Sequence, residues 1–194
     1  MKIFGDKISG NCLKVKYTAD ITGVVYDWID IDILKGQTQT EAFLALNPHG
    51  QVPVVQFDDG RVLAQSNAII RYLAHGSTLL PEDPFAQAEI DRWLFWEQYS
   101  HEPYIAVCRF QMLYLNKSSE ERESWRVERG EAALEQMENH LIDRDWFVGN
   151  AFSLADIALL AYTQFAHEGG FDLSSRPALT RWLKACRQNL ALKN

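Results

Sequence analysis

The sequence is poor in the residues that mark several kinds of protein. Its 194 residues include only three cysteines, six prolines and eleven glycines. The cysteines, Cys12, Cys108 and Cys186, form no CxxC motif and no spacing typical of a disulfide framework. The low proline and glycine content excludes a collagen-like or low-complexity chain. We therefore expect a globular protein with reduced thiols, located in the cytoplasm.

An excess of basic residues is also missing. The formal net charge is −7, which argues against nucleic acid as a partner because phosphate binding requires clustered Lys and Arg. No apolar run is long enough to cross a membrane, and the opening MKIFGDK contains no apolar segment of a secretion signal. The five histidines lack the spacing of a metal site. We expect no nucleic acid, no membrane and no metal.

What the chain does contain is a pattern of short strands followed by helices. With 47% apolar and 23% charged residues it has enough apolar surface for a core. A strand–helix–strand opening predicts a parallel pair, and a later hairpin adds an antiparallel pair. The predicted order is βαβαββα, which is thioredoxin-like: strand Lys2–Phe4, a helix after Ser9, strand Val24–Ile33, helix Thr40–Asn47, hairpin strands Val54–Phe57 and Arg61–Ala64, and a helix capped by Ser66.

The second half reads as helical throughout. Residues 77–84 form a linker, and Asp83-Pro84 is a strong helix start. A first helix should reach about Leu115 with a kink at Pro103, and later ones should span Ser119–Leu141, begin at Ser153, and run from Pro177 to near Leu190. The fold class is therefore α+β. We predict a thioredoxin-like domain over residues 1–76 and an all-α domain over 85–194.

Two short motifs in the first domain indicate a ligand. Val52-Pro53 stands between a turn and an apolar strand, where a cis bond would leave the Val52 backbone groups free to pair with a ligand. Gln65-Ser66 begins the next helix and would supply N–H groups and a hydroxyl to an anion. Together they predict a peptide-like ligand that carries a carboxylate.

The two motifs are followed by a linker and by a helical half with the capping pattern Ser153-x-x-Asp156. In this order they make the chain resemble the cytosolic glutathione S-transferase family along essentially its whole length. The segments Ser9–Val15 and Asn47–Val54 are similar to the serine-type theta and zeta classes and their bacterial relatives. The resemblance implies a cytoplasmic homodimer that uses glutathione as co-substrate in detoxification.

It also implies which residues carry the chemistry. Ser9 would hold the glutathione thiol as thiolate; the alternative is that Ser9 only caps the N-terminus of the first helix. Asn11 could donate to the same thiolate, and Cys12 is either a redox group or a packed side chain. Cys108 and Cys186 are expected to be inert.

The other predicted site residues come from the same resemblance. Val52 with Pro53 would hold the cysteinyl part of glutathione, Gln65 and Ser66 the γ-glutamyl end, and Thr38 and Gln51 the glycyl end, although many relatives carry an acid where Gln65 stands. The second substrate, a small hydrophobic electrophile, would be lined by residues that flank Pro103: Tyr99, His101, Tyr104, Arg109, Phe110 and Leu113.

Three functions fit this sequence. The first is a glutathione transferase, in which the thiolate adds to the electrophile. The second is a glutathione-dependent peroxidase or disulfide reductase, which could use Cys12. The third is a non-catalytic protein that uses the same fold for binding or as a scaffold.

Overall fold

The computed structural model describes residues 1–192, so the last two residues of the predicted helical domain lie outside it. The chain divides into two compact units, Met1–Ser77 and Thr78–Asn194. Each unit has its own secondary structure and its own core.

The first unit has the predicted βαβαββα order. Its elements are β1 (Lys2–Gly5), α1 (Gly10–Ile21), β2 (Asp27–Asp30), a 3₁₀ turn (Gln37–Gln39), α2 (Glu41–Leu46), β3 (Val54–Gln56), β4 (Val62–Ala64) and α3 (Ser66–Leu73).

Its four strands lie in the order β2-β1-β3-β4. Strand β1 pairs with β2 in parallel, while β3 is antiparallel to both β1 and β4. Strands β1 and β4 therefore run in the same direction, and the helices that follow them, α1 and α3, begin at the same edge of the sheet. The two helices pack against each other. The predicted thioredoxin-like arrangement is confirmed.

Strand β2 is shorter than the sequence indicated. Residues 24–33 suggested a strand, but only Asp27–Asp30 pair with β1, which is itself four residues long. Val25 is 88% exposed, and beyond Ile31 the Asp32 carboxylate accepts backbone N–H groups of the following turn. The β-branched composition was correct for a strand, but the length of the partner strand decided where the pairing stopped.

The second unit is helical within the described residues. Its elements are α4 (Pro84–Trp96), a π-helical turn (Glu97–His101), α5 (Glu102–Leu113), a 3₁₀ turn (Ser119–Glu121), α6 (Ser124–Leu141), α7 (Leu154–Thr163), a second 3₁₀ turn (Ala166–Gly169) and α8 (Pro177–Asn189).

The predicted long helix around Pro103 is divided by a π-helical turn. Pro103 has no N–H to donate to the preceding turn, and its ring crowds the carbonyl four residues before it. The helix accommodates this by widening over Glu97–His101, directly before the proline. The extra residue in the turn changes which side chains of α5 point inward, and this matters for the residues predicted to bind the second substrate.

The capping box at Ser153 is confirmed and lies at the centre of the helical core. The buried Asp156 carboxylate accepts from Ser153 N (2.9 Å), Ser153 Oγ (2.9 Å), Phe147 N (3.1 Å) and Trp182 Nε1 (2.8 Å). It thereby joins the start of α7 to the preceding loop and to α8. Burial outweighs these donors and raises the pKa of Asp156 to about 6.

We predict that Asp156→Ala lowers the free energy of unfolding by about 3–5 kcal/mol, because it removes the acceptor of four buried donors. Urea denaturation measures the loss. The folded pKa of about 6 lies above the ordinary value of 3.8, so the native state holds the proton longer than the unfolded chain. The advantage of wild type over the variant should therefore be greatest below pH 4 and decrease, by at most about 3 kcal/mol, as pH rises through 6.

Asp143→Ala is the matched control, since Asp143 is an exposed carboxylate of the same unit and its loss should cost less than about 0.5 kcal/mol. Equal losses in the two variants would contradict a structural role for the Asp156 network.

Candidate functional site

The candidate site is the place where the N-termini of α1 and α3 meet. Ser66 Oγ, at the start of α3, donates a hydrogen bond of 3.0 Å to Asn11 Oδ1 in the first turn of α1, across 55 residues of sequence. Each helix start leaves backbone N–H groups without an intrahelical acceptor and carries a partial positive charge. Two such ends side by side favour an anionic ligand.

Ser9 precedes α1 and is half-buried. Its backbone is extended at φ −70° and ψ 124°, but its side chain makes no capping hydrogen bond to the helix. The hydroxyl bonds instead to the Cys12 side chain. The structure therefore shows no side-chain capping by Ser9, whose hydroxyl is directed to the Cys12 sulfur.

Cys12 is fully buried beneath this loop. Its sulfur accepts from Asp6 N at 3.4 Å, and a Cβ placed on Gly5 would lie only 3.2 Å from it. Burial raises the pKa of Cys12 to about 12, although hydrogen bonds from Ser9 and Asp6 act in the opposite direction. The structure therefore favours the packed role for Cys12 over the predicted catalytic one, because a buried, protonated thiol is a poor nucleophile.

Cys108 and Cys186 are also buried, and burial raises the pKa of each thiol. All three cysteines are free thiols.

The Val52–Pro53 peptide bond is cis, as the sequence suggested. The turn before it is held by Asn47, whose Nδ2 donates to Gln51 O at 2.7 Å, while the Gln51 side chain is exposed. Thr38 is buried, and its hydroxyl accepts from Gln39 Nε2 at 3.3 Å. Of the two residues predicted for the glycyl end, Gln51 is thus accessible and Thr38 is covered.

Gln65 occupies the cap position of α3, which the sequence had assigned to Ser66. Its backbone lies at φ 72° and ψ 111°, a region that residues with a Cβ rarely adopt. Ser66 is instead the first helical residue, and its hydroxyl forms a hydrogen bond with Asn11 and not with the backbone of its own helix. Strained conformations of this kind cost about 1–3 kcal/mol and concentrate at ligand sites. The side chain of Gln65 is exposed.

His101 and Arg109 point into the helical unit rather than toward a ligand. His101 is fully buried, and its Nε2 lies 2.9 Å from Thr163 Oγ1. Arg109 is 4% exposed, forms an ion pair with Glu168 and lies over the Phe165 ring at 4.6 Å. The prediction that they face an electrophile is therefore not supported. The π-helical turn explains the difference because it rotates the helix after Trp96.

The remaining residues predicted for the second substrate are divided between two places. Phe110 and Leu113 are partly exposed near the end of α5, where Phe110 stacks on Tyr114. Tyr99 and Tyr104 line a groove of about 190 Å³. Its other lining residues come from α4, the π-helical turn and α6 and were not singled out by the sequence: Trp96, Ser100, Arg129, Ala132, Ala133 and Gln136. No spacing along the chain could have identified the α6 contribution.

Metal ligands are not grouped in the part of the chain that the structure describes, where no three His, Cys, Asp or Glu side chains form a candidate site. Over residues 1–192, no helix combines the length and apolarity that a membrane span requires.

The chain matches two family models, the glutathione S-transferase N-terminal domain over residues 8–75 and the C-terminal domain over residues 99–189. A solved glutathione S-transferase from Pseudomonas fluorescens is 48% identical, with 96% of this chain and 94% of that chain covered and a TM-score of 0.92. Glutathione S-transferase 3 of Zea mays is 30% identical over 197 residues, covering 95% of this chain and 88% of that protein. Glutathione S-transferase GstB of Escherichia coli K12 is 28% identical, covering 98% and 95%.

We predict that all three cysteines of the native protein react slowly with iodoacetamide at pH 8, because each thiol is buried and its pKa is raised. Labelling should be roughly a hundredfold or more slower than in urea-unfolded protein, as followed by mass spectrometry. The unfolded chain is the control. Rapid modification of Cys12 in the native state would contradict its assignment as a packed thiol.

Proposed function

Since this chain belongs to the glutathione S-transferase family, we propose that it binds glutathione, stabilises its thiolate and transfers it to a small hydrophobic electrophile. The observation that carries the proposal is the meeting of two helix N-termini at Asn11 and Ser66, with the Ser9 hydroxyl in the adjoining turn. We further propose that the chain is a serine-type enzyme related to the theta and zeta classes, that it acts in the cytoplasm, and that it serves detoxification.

Ser9 supplies the thiolate stabilisation. A free thiol has a pKa of about 8.5, so only a few per cent is ionised near neutrality. Each unit of pKa depression requires about 1.4 kcal/mol of preferential stabilisation of the thiolate. The Ser9 hydroxyl can leave the weak sulfur acceptor of Cys12 and donate to the stronger thiolate acceptor, while the N-terminus of α1 contributes its partial positive charge.

The rest of the site binds the tripeptide. The backbone of Val52 beside the cis bond pairs with the cysteinyl part, and Gln65 and Ser66 bind the γ-glutamyl end. The exposed Gln51 binds the glycyl carboxylate, whereas the buried Thr38 hydroxyl accepts from Gln39 Nε2 and does not reach the ligand. The sulfur forms a bond to the electrophilic carbon as a leaving group departs or a multiple bond opens, so no redox partner is required.

We expect Ser9→Ala to raise the pKa of the bound glutathione thiol by about 1–2 units and to lower kcat/KM by about 10–100-fold at pH 6.5. The loss should diminish as pH rises above the new pKa, because the thiolate then forms without help. Ultraviolet titration of the bound thiolate and initial rates with halide, epoxide and enal substrates provide the measurements.

Ser9→Thr is the matched control because it retains the hydroxyl and should keep most of the activity. An unchanged thiol pKa in Ser9→Ala would contradict the role of Ser9. Wild-type protein that binds glutathione but turns over only peroxides or disulfides would favour the reductase, and absence of glutathione binding would favour a scaffold.

We also propose a homodimer, which is supported by exposed aromatic side chains on one side of α4 and the π-helical turn. Phe85, Phe95 and Tyr99 are 75%, 76% and 79% exposed, an unusual arrangement for a surface that faces only water. A second copy of the chain would cover these side chains. In a two-fold homodimer the patch contacts either the same patch of the partner or another surface of the partner, and the symmetry then repeats that contact.

Sedimentation velocity should show wild type as a dimer and the double variant Phe95→Ser, Tyr99→Ser shifted to monomer, since it removes most of the exposed aromatic area. Leu34→Ser is the control, because Leu34 is an exposed apolar residue of the other unit. A monomeric wild type, or a double variant that remains dimeric, would contradict the proposed interface.

A further inference from the structure

A second cavity of the first unit lies between the end of β2, the 3₁₀ turn of this unit and α2. Its volume is about 380 Å³, within the range of about 300–1,000 Å³ that is typical of small-molecule sites. The residues that form the candidate functional site do not line it: Ser9, Gln51, Val52, Gln65 and Ser66. The proposed binding of glutathione therefore leaves this cavity without a function.

Local hydrogen bonds hold two walls of the cavity in place. Gln37 Oε1 accepts from the backbone N of Asp32 at 2.7 Å, which fixes the turn after β2. The Thr40 hydroxyl donates to Gln37 O at 2.9 Å and accepts from Phe43 N at 3.3 Å, which fixes the start of α2. The cavity is therefore preformed, and the Thr40 hydroxyl is already engaged on both sides.

The apolar part of the lining is only partly covered by the protein itself. Phe43 is 3% exposed, but Phe4, Ile31 and Leu46 are half-buried and Ala42 is exposed. The helix that contributes Phe43 and Leu46, α2, is only six residues long and leaves part of this apolar surface open. An apolar body would gain free energy by covering it, and an aromatic ring suits a wall that contains two phenylalanines.

Asp30 is the charged residue of the lining, and its charge determines which ligands fit. Its carboxylate accepts from Lys7 Nζ and Trp28 Nε1, both at 2.7 Å, and these hydrogen bonds lower the pKa of Asp30. An ionised carboxylate offers about four lone-pair sites, so it can accept further hydrogen bonds. The Lys7 side chain is 69% exposed, and exposed ion pairs contribute little to stability. A ligand ammonium can therefore join Lys7 at Asp30 or replace it.

We propose that this cavity is a binding site for a small arylalkylamine, whose ring lies against Phe4, Phe43 and Leu46 and whose ammonium donates to the Asp30 carboxylate. A neutral ligand of the same shape would lack the charge-assisted hydrogen bond, and an anionic one would be repelled by Asp30. The inference is independent of the proposed function, because it involves none of the residues assigned to glutathione.

Three probes that share a phenyl ring and a short chain test this selectivity: 2-phenylethylamine, 2-phenylethanol and phenylacetate. Each is titrated up to about 10 mM into ¹⁵N-labelled protein, because ligands of this size bind weakly. The amide signals that shift show where the probe binds, and the concentration dependence of the shifts gives the dissociation constant.

Four variants accompany the wild type. Asp30→Asn removes the charge, and Asp27→Asn is its control, since Asp27 is an exposed carboxylate of the same strand that does not line the cavity. Ala42→Phe fills the cavity, and Ala45→Phe is its control, because Ala45 is an exposed alanine of the same helix outside the lining. All four positions are exposed, so each variant should fold, and the remaining amide signals verify this.

We expect 2-phenylethylamine to bind with a dissociation constant of about 0.1–1 mM and to shift the amides of the lining residues. The alcohol and phenylacetate should bind at least about fivefold more weakly. Asp30→Asn should weaken binding of the amine by about fivefold and that of the alcohol by less than about twofold. Ala42→Phe should weaken both by about tenfold or more, whereas the two controls should stay within about twofold of wild type.

Lys7→Ala provides a further check, because it removes the cation that competes for Asp30 and should tighten binding of the amine by about two- to threefold. Saturating S-methylglutathione should change the affinity for the amine by less than about twofold. Displacement of the amine would place it in the candidate functional site and overturn the proposal.

Other results would also overturn it: no saturable shifts with the amine, shifts confined to residues outside the lining, or an affinity for the alcohol or phenylacetate equal to that for the amine. Equal effects of Asp30→Asn and Asp27→Asn, or of Ala42→Phe and Ala45→Phe, would do the same. None of these results bears on glutathione binding, and a protein that fails to bind glutathione but binds the amine would overturn only the proposed function.

Discussion

The candidate site depends on the direction in which the strands of the first unit pair. Because β3 is antiparallel to both β1 and β4, these two outer partners run the same way and deliver α1 and α3 to one edge of the sheet. Only then can residues as far apart in sequence as Asn11 and Ser66 form a hydrogen bond. The two helix starts bring their unpaired N–H groups and partial positive charges to one place, which is the physical basis of the glutathione binding proposed for it.

At that edge of the sheet, the Ser9 hydroxyl is accessible to a ligand, whereas the Cys12 thiol is buried and unreactive. Ser9 and Cys12 lie close together in sequence but differ in burial: Ser9 is half-buried, whereas Cys12 is fully buried. The half-buried Ser9 hydroxyl is bonded to the Cys12 sulfur, a weak acceptor that a ligand thiolate could replace. The fully buried Cys12 thiol remains protonated because its charge would have no solvent around it. The chemistry of the proposed enzyme therefore belongs to the sulfur of the ligand and not to a cysteine of the protein.

The helical unit shows how a local backbone feature redistributes side chains. The π-helical turn before Pro103 directs His101 to Thr163 and leaves Tyr99 exposed. In the same unit, Asp156 gathers donors from three segments and holds the core through a carboxylate that burial itself disfavours. The buried polar residues His101, Arg109 and Asp156 thus bind other groups within the helical unit. The exposed aromatic residues of α4 and the π-helical turn are the ones that can contact a partner.

The sequence by itself determined the α+β fold, the order of elements in the first unit, the capping box at Ser153 and the helix start at Pro84, because each depends on neighbouring residues and on periodicity. Family resemblance pointed to Ser9, Val52 and Ser66 for the same reason, since their motifs are short and contiguous. The tertiary structure decided what depends on distant segments: the length of β2, the burial of Cys12 and Thr38, the inward orientation of His101 and Arg109, and the bond between Asn11 and Ser66. Burial and long-range hydrogen bonds are set by which elements meet, and no local pattern in the chain specifies that.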